Sequence, residues 1–71
     1  MKIIANGYKE KDIIKILREW TELKQSDFGK SIGMSSSSIQ SYERGVRRYK
    51  FETLLKIAKK HNFIITIEKK N

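Results

Sequence analysis

The sequence contains no cysteine, which excludes a disulfide framework and any Cys-based metal site. It has one histidine, too few to build an imidazole metal cluster, so no metal or cofactor is expected. No apolar run is long enough to cross a bilayer, and the apolar core of Met1–Gly7 is too short for a secretory signal. A cytoplasmic protein is the expectation, with no membrane partner. Nucleophile motifs and phosphate-binding glycine loops are also missing, so no catalytic residue is expected. The aromatic platform of the common RNA-binding modules is missing too. With 71 residues the chain reads as one domain, 1–71, with a small core and marginal stability alone.

What the chain has is positive charge, a formal net of +8. It is unevenly placed. Residues 1–43 carry seven basic and six acidic side chains, whereas residues 44–71 carry nine and two. Such asymmetry points to a polyanionic partner, although a basic solubilising surface would give the same count. Charge alone leaves the two readings even, so a second feature must decide.

That feature lies between Gln25 and Gly45. Phe28 and Ile32 are four apart and share one face of a short helix, about Gln25 to Ile32. Gly33 follows, where a glycine can take the left-handed conformation that ends a helix. Apolar Met34 fills the corner, and Ser35 offers a hydroxyl as N-cap of a second helix. Ile39 and Tyr42 are three apart on that helix, which leaves Ser36, Ser37, Gln40 and Ser41 outside. Two helices glued at a steep angle with a polar face left free make a helix-turn-helix. The four consecutive serines, Ser35 to Ser38, would otherwise read as a flexible linker, but apolar Met34, Ile39 and Tyr42 flank them at the motif's spacing.

These residues resemble the Xre/Cro, lambda-repressor-like helix-turn-helix family. The match rests on Gln25, Phe28, Gly29, Gly33, Ser35, Ile39 and the run Tyr42-Glu43-Arg44-Gly45, with Leu17-Arg18 and Leu54-Leu55-Lys56-Ile57-Ala58 at family spacing. It extends over about Asp12 to His61. The resemblance implies double-stranded DNA as partner, Ser36, Ser37 and Ser41 at base edges with Gln40 beside them, and Ser35 at a phosphate or base. It also implies an ion pair between Arg18 and Glu43; a partly buried arginine needs a forked acceptor. Gln25, at a helix start, can turn side-chain and backbone amides to a phosphate. Two departures stand out. Gly29 occupies a position where the family usually has alanine, which should weaken that helix slightly, and Tyr49-Lys50 replaces a proline-containing entry to the fourth helix.

The rest of the chain fits around the motif. Lys2-Ile3-Ile4-Ala5 reads as a brief strand or an arm, ended by Asn6-Gly7. Asp12 is the expected N-cap of a first helix carrying Ile13, Ile14, Ile16, Leu17 and Trp20, with Leu23 closing it. Trp20 belongs to its apolar stripe and so to the core rather than to base stacking. Arg44, Arg47, Arg48 and Lys50, in the loop after the reader helix, are expected at phosphates; Tyr49 can either donate to a phosphate or pack beneath the loop. A fourth helix, about Phe51 to His61, buries Phe51, Leu54, Leu55, Ile57 and Ala58 and ends on His61 as a capping residue. Then the period changes from helical to two. Phe63, Ile65 and Ile67 fall on one face of an expected strand, about 63–68. A lone strand leaves its backbone unpaired, so a partner is required: residues 2–5 of the same chain, the same strand of a second copy, or both. This ending is similar to HipB-like antitoxins.

The expected fold is therefore mainly α: a four-helix, lambda-repressor-like helix-turn-helix domain (core about 12–61) with a short C-terminal β-strand that dimerises through Phe63, Ile65 and Ile67. The expected function is a sequence-specific double-stranded DNA-binding regulator, a repressor acting as a homodimer. The alternatives are an antitoxin that also holds a toxin and autoregulates its operon, or a protein-interaction module that has lost DNA binding. The basic loop argues against the last.

Overall fold

The computed structural model describes residues 1–71 as four helices without a strand. They are α1 (Glu10–Thr21), α2 (Gln25–Ser31), α3 (Ser36–Glu43) and α4 (Phe51–His61), preceded by one 3-10 turn at Ala5–Gly7. The mainly helical, four-helix expectation holds.

α1 is amphipathic, with Ile14 and Leu17 buried and Ile13 and Trp20 half-buried against the core. It starts earlier than Asp12 as a cap would require. Lys9 holds the cap position with an extended backbone and no side-chain cap, which places Glu10 and Asp12 in the first turn. Carboxylates there suit the positive end of the helix dipole. Glu22 ends the helix by entering the left-handed region at φ 61°. The Thr21 hydroxyl donates to the Arg18 carbonyl at 2.6 Å and accepts from the Leu23 N–H at 3.2 Å, which closes the corner.

α2 and α3 form the steep pair. Gly33 sits at φ 73°, and the Met34 N–H donates back to the Gly29 carbonyl at 2.8 Å. Ser35 then caps α3 by accepting from the Ser38 N–H at 3.1 Å. Gly29 is buried in the joint: a Cβ on it would lie 2.7 Å from the Met34 carbonyl oxygen and 3.2 Å from Ile39 Cγ1. Its weak helix propensity is thus the condition for a close approach of α2 to the turn and to α3.

The core is Ile14, Leu17, Phe28, Ile32, Ile39, Tyr42 and Ile57, at least one from each helix or its end. Only ten residues are buried in all, so few positions carry most of the apolar stabilisation.

Three expectations need correction. On α4 the buried residues are Thr53, Ile57 and Ala58, while Phe51 and Leu55 are 54% and 48% exposed. Phe51 and Leu55, four apart, form a stripe displaced around the helix from Thr53 and Ile57, which the single chain leaves about half exposed. His61 is no cap: Asn62 takes the left-handed closing position at φ 62°, while the His61 ring stacks on Phe28 with centroids 5.5 Å apart. Finally, neither the strand at 63–68 nor one at 2–5 forms. A strand exists through its ladder, and the single chain pairs neither segment. Phe63 instead folds back edge-on to Trp20 at 5.8 Å; Ile65 is 38% exposed, and Ile67 89%.

Candidate nucleic-acid interface

α3 presents its polar side as the sequence spacing requires. Ile39 and Tyr42 are buried, Ser36, Ser37 and Gln40 are exposed, and Ser41 is half-buried. Ser37, Ser41 and Arg44 follow one another at i, i+4, i+7 and so form one stripe, with Gln40 beside it. Ser35 is different. Its hydroxyl is occupied by the cap and by the Ser37 and Ser38 hydroxyls, both at 3.1 Å, so it fixes the start of α3 more than it reaches outward.

Electrostatics leave this face without a free anion. Glu43, at the end of α3, would repel a phosphate, but Arg18 donates to both of its oxygens, Nε to Oε2 at 2.6 Å and Nη2 to Oε1 at 3.0 Å. The pair is largely withdrawn from water, the two side chains being 18% and 5% exposed. The third Arg18 nitrogen, Nη1, donates to the Leu23 carbonyl at 3.0 Å, and the Gln25 side-chain amide donates to Glu43 Oε1 at 3.3 Å. Gln25 is thus tied into this network at the head of α2. Hydrogen bonding to Glu43 raises the Arg18 pKa, opposed by burial; the guanidinium stays charged throughout.

The α3–α4 loop carries the cations, and the structure holds them in different ways. Gly45 turns the chain at φ 76°, and the N–H groups of Val46 and Arg47 donate to the Ser41 carbonyl at 3.0 and 3.3 Å. This lays Arg47 along α3: its guanidinium sits 5.3 Å from the Tyr42 ring centre and donates to Ser38 Oγ at 3.5 Å. Arg48 pairs with Glu10. Arg44 and Lys50 are exposed, and Lys50 begins α4 without a side-chain cap. Arg47, Arg48 and Lys50 meet at a cleft of about 300 Å³ between α3 and α4, which Glu52 and Lys56 also line.

Tyr49 packs beneath the loop. Its hydroxyl donates to the Glu10 carbonyl and its ring meets Tyr42 at 5.6 Å. Burial, first, and the nearby Glu10 carboxylate push its pKa up to about 12, so it remains a neutral donor. Sequence reasoning missed Glu10, Ser38 and Lys56 here. Ser38 stands three residues after the capping Ser35, a spacing that could have flagged it. Glu10 and Arg48 are 38 residues apart and no local pattern joins them. Of the residues expected to dimerise, Phe63 lies against Trp20, whereas Ile65 and Ile67 are exposed in the single chain. No group of metal-ligating side chains is brought together, and no helix is long and apolar enough to cross a membrane.

A family model described as Helix-turn-helix matches residues 14–63, well over half of the chain. The protein therefore belongs to the helix-turn-helix family, of the Xre/Cro-like kind. It is a DNA-binding helix-turn-helix regulator. Comparison with curated proteins and with solved structures gave no match.

Proposed function

We propose that this protein is a cytoplasmic transcriptional repressor that binds a symmetric operator as a homodimer, with α3 in the major groove. The observation that carries this reading is the uncharged polar face of α3, Ser36, Ser37, Gln40 and Ser41, bordered by the basic loop from Arg44 to Lys50 and backed by a neutralised Glu43. Serine hydroxyls both donate and accept, so they discriminate bases less than a bidentate side chain does. Short arms demand a close approach, and water, thymine methyl groups and DNA shape supply much of the selectivity. Arg44, Arg47, Arg48, Lys50 and the start of α2 at Gln25 contact phosphates and fix the register. Ser35 holds the start of α3 against the backbone.

Selection of bound fragments from random duplex DNA tests the reading. A recovered motif with two-fold symmetry, its half-sites about one helical turn apart (roughly 34 Å), is the expected result; recovery of random sequence refutes a specific operator. A second reading, an antitoxin that also holds a toxin, draws on Phe51 and Leu55, an apolar pair that the single chain leaves about half exposed. A partner protein seated there would bury both.

A further inference from the structure

We propose that Glu10 competes with the DNA backbone for Arg48, so that a carboxylate on the first turn of α1 sets how tightly the protein holds a duplex. The inference rests on the DNA-binding reading above. Arg48 Nη2 donates to Glu10 Oε1 at 2.7 Å and Nε to Oε2 at 3.2 Å. These are the nitrogens that a bidentate phosphate contact uses, and a phosphate and the carboxylate cannot both occupy them. Arg48 lines the α3–α4 cleft with Arg47, Lys50 and Glu52, and neither Arg47 nor Lys50 is in an ion pair. Its side chain is 85% exposed, and that of Glu10 50%.

Glu10 could instead help binding by ordering the loop, and the geometry decides between the two roles. The loop is tied to α1 by Tyr49, whose hydroxyl reaches the Glu10 main-chain carbonyl and whose ring rests on Tyr42. Neither tie uses the carboxylate. Neutralising the side chain therefore releases Arg48 and leaves the loop in place. The Arg48 contact also holds the Glu10 carboxyl below its usual range, so the competing charge is present at neutral pH. An exposed pair of this kind changes an equilibrium by at most about five-fold, which bounds the effect. DNA, with its array of phosphates, still displaces it.

The test is a double-mutant cycle read by duplex binding at low salt, using any duplex the wild type retains, with melting curves to verify folding. Glu10→Gln keeps the main-chain carbonyl and the side-chain length, and is expected to bind about two- to five-fold more tightly than wild type. In an Arg48→Gln background the same change is expected to have no effect. Tyr49→Phe, which loosens the loop, is expected to bind more weakly. Equal or weaker binding by Glu10→Gln, or a gain that persists without Arg48, overturns the competition while DNA binding stands. Failure of the wild type to retain any duplex overturns the DNA-binding reading and this inference with it.

Discussion

At the scale of the single residue, Arg18 and Gly29 set the molecule's tolerances. Arg18 is largely buried and spends three nitrogens on Glu43 and the Leu23 carbonyl. Its replacement leaves a carboxylate 5% exposed without its cation. A buried group stripped of its partner costs about 1–3 kcal/mol, so Arg18→Ala should lower the melting temperature by several degrees in a domain of this size. A thermal melt checks this, and an unchanged midpoint would show that water reaches Glu43. Gly29 opposes two effects. Alanine would return about 1 kcal/mol of helix propensity, but its Cβ would meet the Met34 carbonyl at 2.7 Å, and overpacking typically costs about 1–3 kcal/mol. Backbone cannot swing aside as a side chain can, so Gly29→Ala should be destabilising on balance, by up to about 2 kcal/mol. A rise in chemical-denaturation midpoint would refute it. Sequence showed that Gly29 departs from the family's usual alanine, but propensity points to the opposite sign from packing. Whether a Cβ fits is a property of the assembled α2–α3 joint and is not written in any local window.

At the scale of the element, the helices of the motif were legible because each carries its own punctuation. The Ser35 hydroxyl caps α3, Gly33 and Gly45 take positive φ, and Ile39 and Tyr42 repeat at helical spacing. The start of α1 and the exposed stripe of α4 were not legible: Lys9 carries no capping side chain, and Phe51 and Leu55 read as core from pattern alone. The reader helix and the loop behind it should respond differently to substitution. Ser37→Gln gives α3 a longer arm that can select adenine, so the preferred base should change at particular operator positions. Arg44→Ala should weaken binding to every duplex alike and lower the log–log salt slope by about one. Binding profiles across an operator library separate the two, and a uniform loss from Ser37→Gln would remove it from the base-reading set.

The α2–α4 contact adds a pH dependence at the same scale. The Ser31 hydroxyl gives its one proton to the Phe28 carbonyl at 2.6 Å, so at the 2.9 Å contact with His61 Nε2 the imidazole donates. Its other nitrogen is then the site of protonation. Burial, and next the neighbouring Lys60, lower the pKa of His61 from its ordinary 6.5. The unfolded chain therefore binds this proton more readily than the native one. The resulting stabilisation is full above about pH 6.5 and is lost as pH falls through the lower native value. Stability measured between pH 7.5 and 5.5 should decline on the acid side, and His61→Phe, which keeps a ring on Phe28, should flatten that decline. An equally steep decline in the variant would assign it to other groups.

At the scale of the whole molecule, the tail after α4 has no ladder partner within the chain. Period-two alternation marked Phe63, Ile65 and Ile67 as one strand face, yet the folded chain divides them: Phe63 lies against Trp20, and Ile67 is 89% exposed. Alternation specifies which side chains travel together only once a neighbouring strand supplies the ladder, and the single chain supplies none. The exposed Ile64 and Ile67 are a large apolar surface for a protein with ten buried residues. Pairing of residues 64–68 about a two-fold axis with a second copy would supply the missing ladder, with Ile65 and Ile67 on one face and Ile64 on the other, and set two α3 helices toward successive grooves. The two roles of the tail can be separated by where it is cut. A chain ending at Phe63 keeps the Trp20 contact and loses the pairing segment. It should melt close to wild type, sediment as a monomer, and bind a symmetric operator more weakly than the full chain. A chain ending at Asn62 should in addition lose stability, because Trp20 is uncovered. If the full chain sediments as a monomer at tens of micromolar and the cut at Phe63 changes neither sedimentation nor operator binding, the tail is not the dimer element, and the exposed pair Phe51 and Leu55 on α4 becomes the surface to test in its place.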